Sequence, residues 1–412
     1  MNQRLREILH GMEFAFKASF WCSKIFFVFL LMRQKNASDE KFHFLLPCIG
    51  NGNIGDQAMV ESFINNLGGK CVLIVEDKDK FYLEHKISPE PKVIEIPHLI
   101  LGNTLQNMLA LLTFLRVSNK MKSFSVIGGD IMDGFYSKKE SINRLFLLRL
   151  VNSLGINSRI TGFSWSANPY PLSTKLLKII SNETRLCLRD PKSAQRLKES
   201  KISSVYEVSD LVFSDDSVAN AHTVDSWISS STKPIVVINI SGHFLNNQKE
   251  AYFEHVHQYR LISEYLKSKN FRIIILPHVF RVGDGDVETS LDLFKSACDM
   301  EDLLIADPLS PAQERQVLKH AFFVISGRMH VAILAFNMGK PVIALETMGK
   351  VSGLFTMFNL GQFCIDRKSN FSTEVIKCID LIENDHASIC KSIEEKLPEI
   401  RQRSSINFSG LI

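Results

Sequence analysis

The chain has 412 residues, too long for one ordinary domain and well suited to two of typical size. At 45% hydrophobic and 22% charged it reads as globular, with apolar material for two cores. A formal charge of +4 lacks the dense basic face of a nucleic-acid binder, so no nucleic acid is expected as a partner. The eight cysteines are scattered and form no CxxC pair, which argues against a zinc site and a disulfide framework and for a reducing compartment.

From Phe14 to Met32 the chain is rich in Phe, Leu and Ile, but Lys17 and Lys24 interrupt it. It therefore holds no run of the roughly 18 apolar residues that a spanning helix needs. No small-residue cleavage site follows, which argues against a secretory signal. Residues 1–40 read as an N-terminal helical extension. It either packs on the first domain or lies on a membrane surface with Arg4, Arg6, Lys17, Lys24 and Arg33 at the interface. The expected location is cytoplasmic, and in the second case peripheral to the inner face of the membrane.

From Phe42 onward short apolar runs alternate with helical patterns, which predicts an α/β fold. Strands are expected at Phe42 to Cys48, Cys71 to Val75, Val93 to Ile96, Phe124 to Ile127, Ile160 to Phe163 and Leu186 to Leu188. The Ser-, Asp- and Thr-rich stretch from Ser214 to Lys233 reads as a linker between a first domain over 41–220 and a second over 233–370. The second series has strands at Ile235 to Ile240, Arg272 to Leu276, Phe322 to Ile325 and Val342 to Leu345. Ser310-Pro311-Ala312-Gln313 is a capping box with proline in the first turn. Residues 371–412 read as mostly helical. Two α/β halves imply a cleft between them, where ligands bind.

Ligands of parallel sheets bind beyond the carboxyl ends of the strands, and four segments fall there. After the first strand comes Gly50-Asn51-Gly52-Asn53-Ile54-Gly55-Asp56, where glycines allow a sharp turn and Asp56 sits near a helix start. Gly128-Gly129-Asp130 repeats that pattern after another strand. Arg189, before the helix cap Asp190-Pro191, offers a two-pronged donor to a carboxylate or phosphate. Ser326-Gly327-Arg328-Met329-His330 is the most informative segment. A strand ends, a helix starts with free amides that attract anions, Arg328 adds charge, and His330 can exchange a proton near neutral pH. His278 and Lys350 also follow strands of the second half.

These segments, in this order, resemble the polysaccharide pyruvyl transferase family over about Phe42 to Leu360. The resemblance rests on Gly52 to Ala58, Val126 to Asp130, Arg189-Asp190 with Ser193, Pro277-His278, Ser326 to His330, Gly339 to Val342, and Lys350 with Gly353. It implies two Rossmann-like domains facing across a cleft, the GT-B arrangement, with an acceptor side on the first domain and a donor side on the second. It also implies that the C-terminal helices pack back toward the first domain. The implied donor is phosphoenolpyruvate, a co-substrate, with no cofactor and no metal. The implied acceptor is a sugar of a surface or extracellular polysaccharide or of its lipid-linked precursor, and the product is a pyruvate ketal. On this resemblance His330 and Asp56 are the acid and base. Arg189 and Arg328 hold the donor's anionic groups, and Lys350, His278, Gly52, Asn53, Gly55, Gly128, Gly129, Asp130 and Ser326 line the substrates. Two other readings of the scaffold are a nucleotide-sugar glycosyltransferase and a non-catalytic glycan-binding relative.

Overall fold

The computed structural model describes residues 40–48, 52–67, 71–79, 90–242, 249–281, 286–346, 350–367 and 370–411. The expectations for residues 1–39 lie outside them. Phe42–Ile412 forms one compact unit, built on two sheets. The first contains β1 (Phe42–Leu46), β2 (Cys71–Val75), β3 (Lys92–Glu95), β4 (Met121–Gly129), β5 (Asn157–Phe163), β6 (Thr184–Leu188) and β7 (Val205–Glu207), in the order β3-β2-β1-β4-β5-β6-β7. The second contains β8 (Ile235–Asn239), β9 (Arg272–Ile275), β10 (Leu303–Leu304), β11 (Phe323–Ser326), β12 (Val342–Glu346) and β13 (Cys364–Asp366), in the order β10-β9-β8-β11-β12-β13.

All strand pairings within the two sheets are parallel. Such strands need apolar residues on both faces, because helices cover both. The runs Cys-Val-Leu-Ile-Val of β2 and Ile-Val-Val-Ile-Asn of β8 are accordingly buried at every position. In each sheet the winding direction reverses once, between β1 and β4 and between β8 and β11. Those reversals open a crevice at the carboxyl ends of the strands, the usual ligand position in such sheets.

The central strands match the sequence reading, and the capping box at Ser310 forms as read. The sequence reading did not include β7, β10 and β13, which have two or three residues and are half-buried or exposed at the sheet edges. The stretch read as a linker contains a helix, His222–Ser229, of which Val224 is the one buried residue. Its short apolar face, Val224, Trp227 and Ile228, packs against the core but spans only two turns.

The helical segment Phe371–Ser405, two helices meeting at a kink at Asp385, joins the two halves. Near its start Gln258 Oε1 accepts from the Ser372 amide at 3.1 Å, and His386 stacks on Phe322 of the second lobe. Its last turns reach the first lobe, where Ser404 Oγ donates to the Asp210 carbonyl at 2.8 Å. Just beyond, Asn407 closes a fully buried set of bonds. Its Oδ1 accepts from the Gly162 amide at 3.0 Å, its Nδ2 donates to the Ser209 carbonyl at 3.0 Å, and its carbonyl accepts from Arg159 at 2.6 Å. Asn407→Ala keeps the backbone contact but leaves the Gly162 N–H and Ser209 C=O unpaired. It should lower unfolding free energy by about 2–4 kcal/mol in urea titration; a loss below about 1 kcal/mol would show that the tail does not brace β5.

Candidate functional site

The two lobes meet through the turn after β1 and the segment after β9. The backbone of Asn53 pairs with Val279 in an isolated antiparallel bridge, and the Phe280 amide donates to the Gly52 carbonyl at 2.6 Å. Gly52 holds φ +82°, a backbone conformation that glycine tolerates without strain. Asn53 Oδ1 caps the helix Ile54–Leu67 by accepting from the Gly55 amide at 3.0 Å. Asp56 lies in the first turn of that helix, as expected, and its carboxylate pairs across the cleft with Arg281 at 2.8 Å.

The lobes also approach closely at Gly55. A Cβ there would lie 2.3 Å from His330 Nδ1 and 2.5 Å from His330 Cβ. The imidazole therefore occupies the space that a side chain would need, which accounts for glycine at this position without invoking a ligand.

His330 is the second residue of the helix Met329–Asn337, whose first turn no described side chain caps. Ser326 was read as a substrate contact. It is 1% exposed, and its hydroxyl accepts from the Arg328 amide and donates to the Arg328 carbonyl, so it braces the turn. Arg328 lies against Asp286, a fully buried carboxylate, with Nη2 at 2.7 Å and Nε at 3.2 Å. Asp286 also accepts from the Val279 amide at 3.2 Å, so one carboxylate ties the Arg328 segment to the His278 segment.

Arg189 corrects the sequence reading. It does not present its fork to the cleft beside Arg328, since it is 2% exposed. Its Nε donates to Ser164 Oγ at 2.8 Å and its Nη1 to Asp210 Oδ2 at 2.8 Å. The same Asp210 oxygen lies 3.6 Å from His330 Nε2. At that separation the contact is Coulombic and not a hydrogen bond, and His330 Nε2 is buried with no hydrogen-bond partner. Burial alone would raise the Asp210 carboxyl, but the adjacent His330 ring, the Arg189 guanidinium and the Val212 amide outweigh it and hold it at about 2. Its stabilising contribution is present above the ordinary carboxylate value and is lost as pH falls through about 2.

Asp130 and Lys350 form a further pair across the cleft. Burial would raise the Asp130 carboxyl, and the charges of Lys350 and Arg189 drive it the other way, well below the usual range. With a side chain 31% exposed, Asp130 lies at the mouth of the cleft. Gly128 faces β5, where a Cβ would lie 2.3 Å from Phe163 Cβ, so packing sets it and not a ligand. Gly129 holds φ +49°. His278 is sealed, with Nδ1 at 2.9 Å from the buried Glu314 carboxylate and Nε2 without a partner. The Cys48 thiol, beneath these groups, is driven well above its ordinary value by burial and by Asp56, so it is inert.

Among the described residues no group of three or more His, Cys, Asp or Glu is placed to hold a metal ion. A shallow groove of about 440 Å³ beside the helix His222–Ser229 shares no residue with this cluster. The sequence reading missed Asp210, Arg281, Asp286 and Glu314. Arg281 stood three residues beyond His278, Glu314 directly follows the capping box at Ser310, and the other two sit in segments with no motif of their own.

Of the motif segments, those after β1, β4 and β11 stand at the two winding reversals, and those after β6, β9 and β12 follow strands farther along the same sheets. The family model of polysaccharide pyruvyl transferase matches residues 53–347. The chain belongs to that family. No curated protein matches the sequence. Solved structures that match include a Listeria monocytogenes protein provisionally assigned as a UDP-N-acetylglucosamine 2-epimerase, at 11% identity and TM-score 0.62, covering 89% of this chain and 96% of that one. Anabaena HepE in complex with UDP and glucose matches at 8% identity and TM-score 0.61, covering 90% and 100%. Neisseria meningitidis UDP-GlcNAc 2-epimerase bound to UDP-GlcNAc matches at 12% and 0.55, covering 89% and 98%. At these identities the likeness shows the fold alone, which is GT-B.

Asp210→Asn would leave the Arg189 guanidinium buried beside a neutral amide. It should destabilise the protein by about 3–5 kcal/mol in urea titration, with Arg189→Met/Asp210→Leu recovering most of the loss. A single variant as stable as the parent would show that the pair is solvated.

Proposed function

We propose that this transferase moves the pyruvyl group of phosphoenolpyruvate onto two hydroxyls of a sugar in a surface polysaccharide or its lipid-linked precursor, forming a ketal. The observation that carries this reading is the uncapped start of the helix Met329–Asn337, with Arg328 and His330 on it, facing the turn at residues 52–56. Free amides at a helix start and an arginine suit an anionic donor. Lys350 and Arg281 add cations at the lobe interface, each now matched by a carboxylate of the first lobe with which an incoming phosphate or carboxylate would compete.

In this reading His330 donates a proton to the donor methylene, making C2 electrophilic. An acceptor hydroxyl attacks C2 and gives its proton to Asp56. The C2–O bond to phosphate breaks, and the second hydroxyl closes the ring. One hydroxyl proton ends on the new methyl group by way of His330, and the other leaves with phosphate. Arg189 acts at one remove, holding Asp210 as a carboxylate beside His330. The reading needs no cofactor and no metal.

The test is incubation with phosphoenolpyruvate labelled at C2 and a lipid-linked glycan pool, followed by 31P and 13C NMR. Phosphate release with a new quaternary ketal carbon is expected. His330→Gln should lower turnover by about 10²–10⁴-fold with donor affinity nearly kept. Arg328→Ala should weaken donor binding by about 1.5–3 kcal/mol. Saturation transfer to a nucleotide sugar and none to phosphoenolpyruvate would replace this reading with glycosyl transfer.

A further inference from the structure

The helix Thr104–Ser118 is apolar on both sides. Its inner side packs Ala110, Leu111, Phe114 and Leu115 into the first lobe. Its outer side carries Leu105 and Leu109, 63% and 57% exposed, with Met108 and Leu112 half-buried beside them. The spacing 105, 108, 109, 112 is a continuous stripe of the kind that normally faces a core.

The stripe continues beyond the helix. Leu101 is 48% exposed, and Lys139 Nζ donates to its carbonyl at 2.5 Å. Just before Lys139, Phe135 and Tyr136 are also exposed and meet edge to face at 5.3 Å. The Tyr136 hydroxyl lies 3.3 Å from Asp130 Oδ2, at the cleft mouth.

The exposed charge of this surface is mostly positive; Glu76 also lies here, with Oε1 accepting from the Ile100 and Leu101 amides at 2.8 and 3.0 Å. Between Glu95 and Asp130 the sequence has no acidic residue. Arg116, Lys120 and Lys122 lie in that interval, Lys138 and Lys139 follow, and all five are exposed. Glu140, beside Lys139, is engaged by Arg144 at 3.3 Å.

We propose that this face of the first lobe docks on an anionic lipid bilayer. The stripe at 101, 105, 108, 109 and 112 enters the boundary between headgroups and acyl chains, and Arg116, Lys120, Lys138 and Lys139 meet lipid phosphates. A second copy of the chain fits less well, because a two-fold contact would set these cations against themselves. Among the described residues no helix is long and apolar enough to cross a membrane, and this contact needs none. Docking here sets the Asp130 mouth of the cleft beside the bilayer. It is independent of which group the cleft transfers.

The test is co-sedimentation of the full chain with vesicles of phosphatidylglycerol and phosphatidylethanolamine, against vesicles of phosphatidylcholine alone. The wild type should bind the anionic vesicles, less so as salt rises. Leu105→Glu/Leu109→Glu should lower the partition coefficient roughly tenfold or more with an unchanged melting temperature. Arg116→Glu/Lys139→Glu should remove the preference for anionic lipid. No binding by the wild type would overturn the proposal. So would full binding by the leucine variant, which would place the lipid contact elsewhere in the chain. A wild-type dimer that the leucine variant splits would overturn it in favour of a second copy.

Discussion

Arg189 and Asp210 are both sealed from solvent, and either charge left alone at that depth would cost several kcal/mol. Their pairing fixes more than two side chains. Arg189 follows β6 and also holds Ser164 after β5, while the backbone of Asp210 receives the Ser404 hydroxyl from the long C-terminal helix. The shared carboxylate then faces His330 of the other lobe. One ion pair thus connects the first sheet, the helix that spans both lobes and the histidine at the interface.

Two outer ion pairs across the cleft follow a pattern. Arg281 and Lys350 come from the second lobe, and their carboxylate partners Asp56 and Asp130 from the first. Such pairs are only moderately buried, so water and salt weaken them and an anionic ligand can compete with them. The buried pair is structural, and the outer ones are exchangeable. A cleft built this way keeps its geometry while its charges change partners.

The sheets were legible in the sequence because parallel strands are buried on both faces and read as apolar runs, as at Cys71–Val75 and Ile235–Asn239. The candidate site was legible where several polar groups share one strand-to-helix segment, as at residues 326–330. It was not legible where a carboxylate serves from a distance. Asp286 opens a helix 42 positions before Arg328, and Asp210 precedes His330 by four strands and several helices. Neither has a neighbouring pattern, since winding both sheets in the same sense is what brings strand ends together. Arg189 was misjudged for the same reason. Its own segment suggests an exposed donor, and only the turn after β7 reveals its partner.

The bonds of Asn407 carry a consequence for how the molecule is assembled. The Gly162 amide, in the middle of the first sheet, finds its acceptor 245 positions later in the chain. While the polypeptide is being made, β5 is therefore synthesised long before the group that satisfies it. The first lobe can collapse early, but the bonds of Gly162 and Ser209 to Asn407 cannot form until the C-terminal helical segment has been made. Order of synthesis and order of completion are thus reversed, with the half made first being the half finished last.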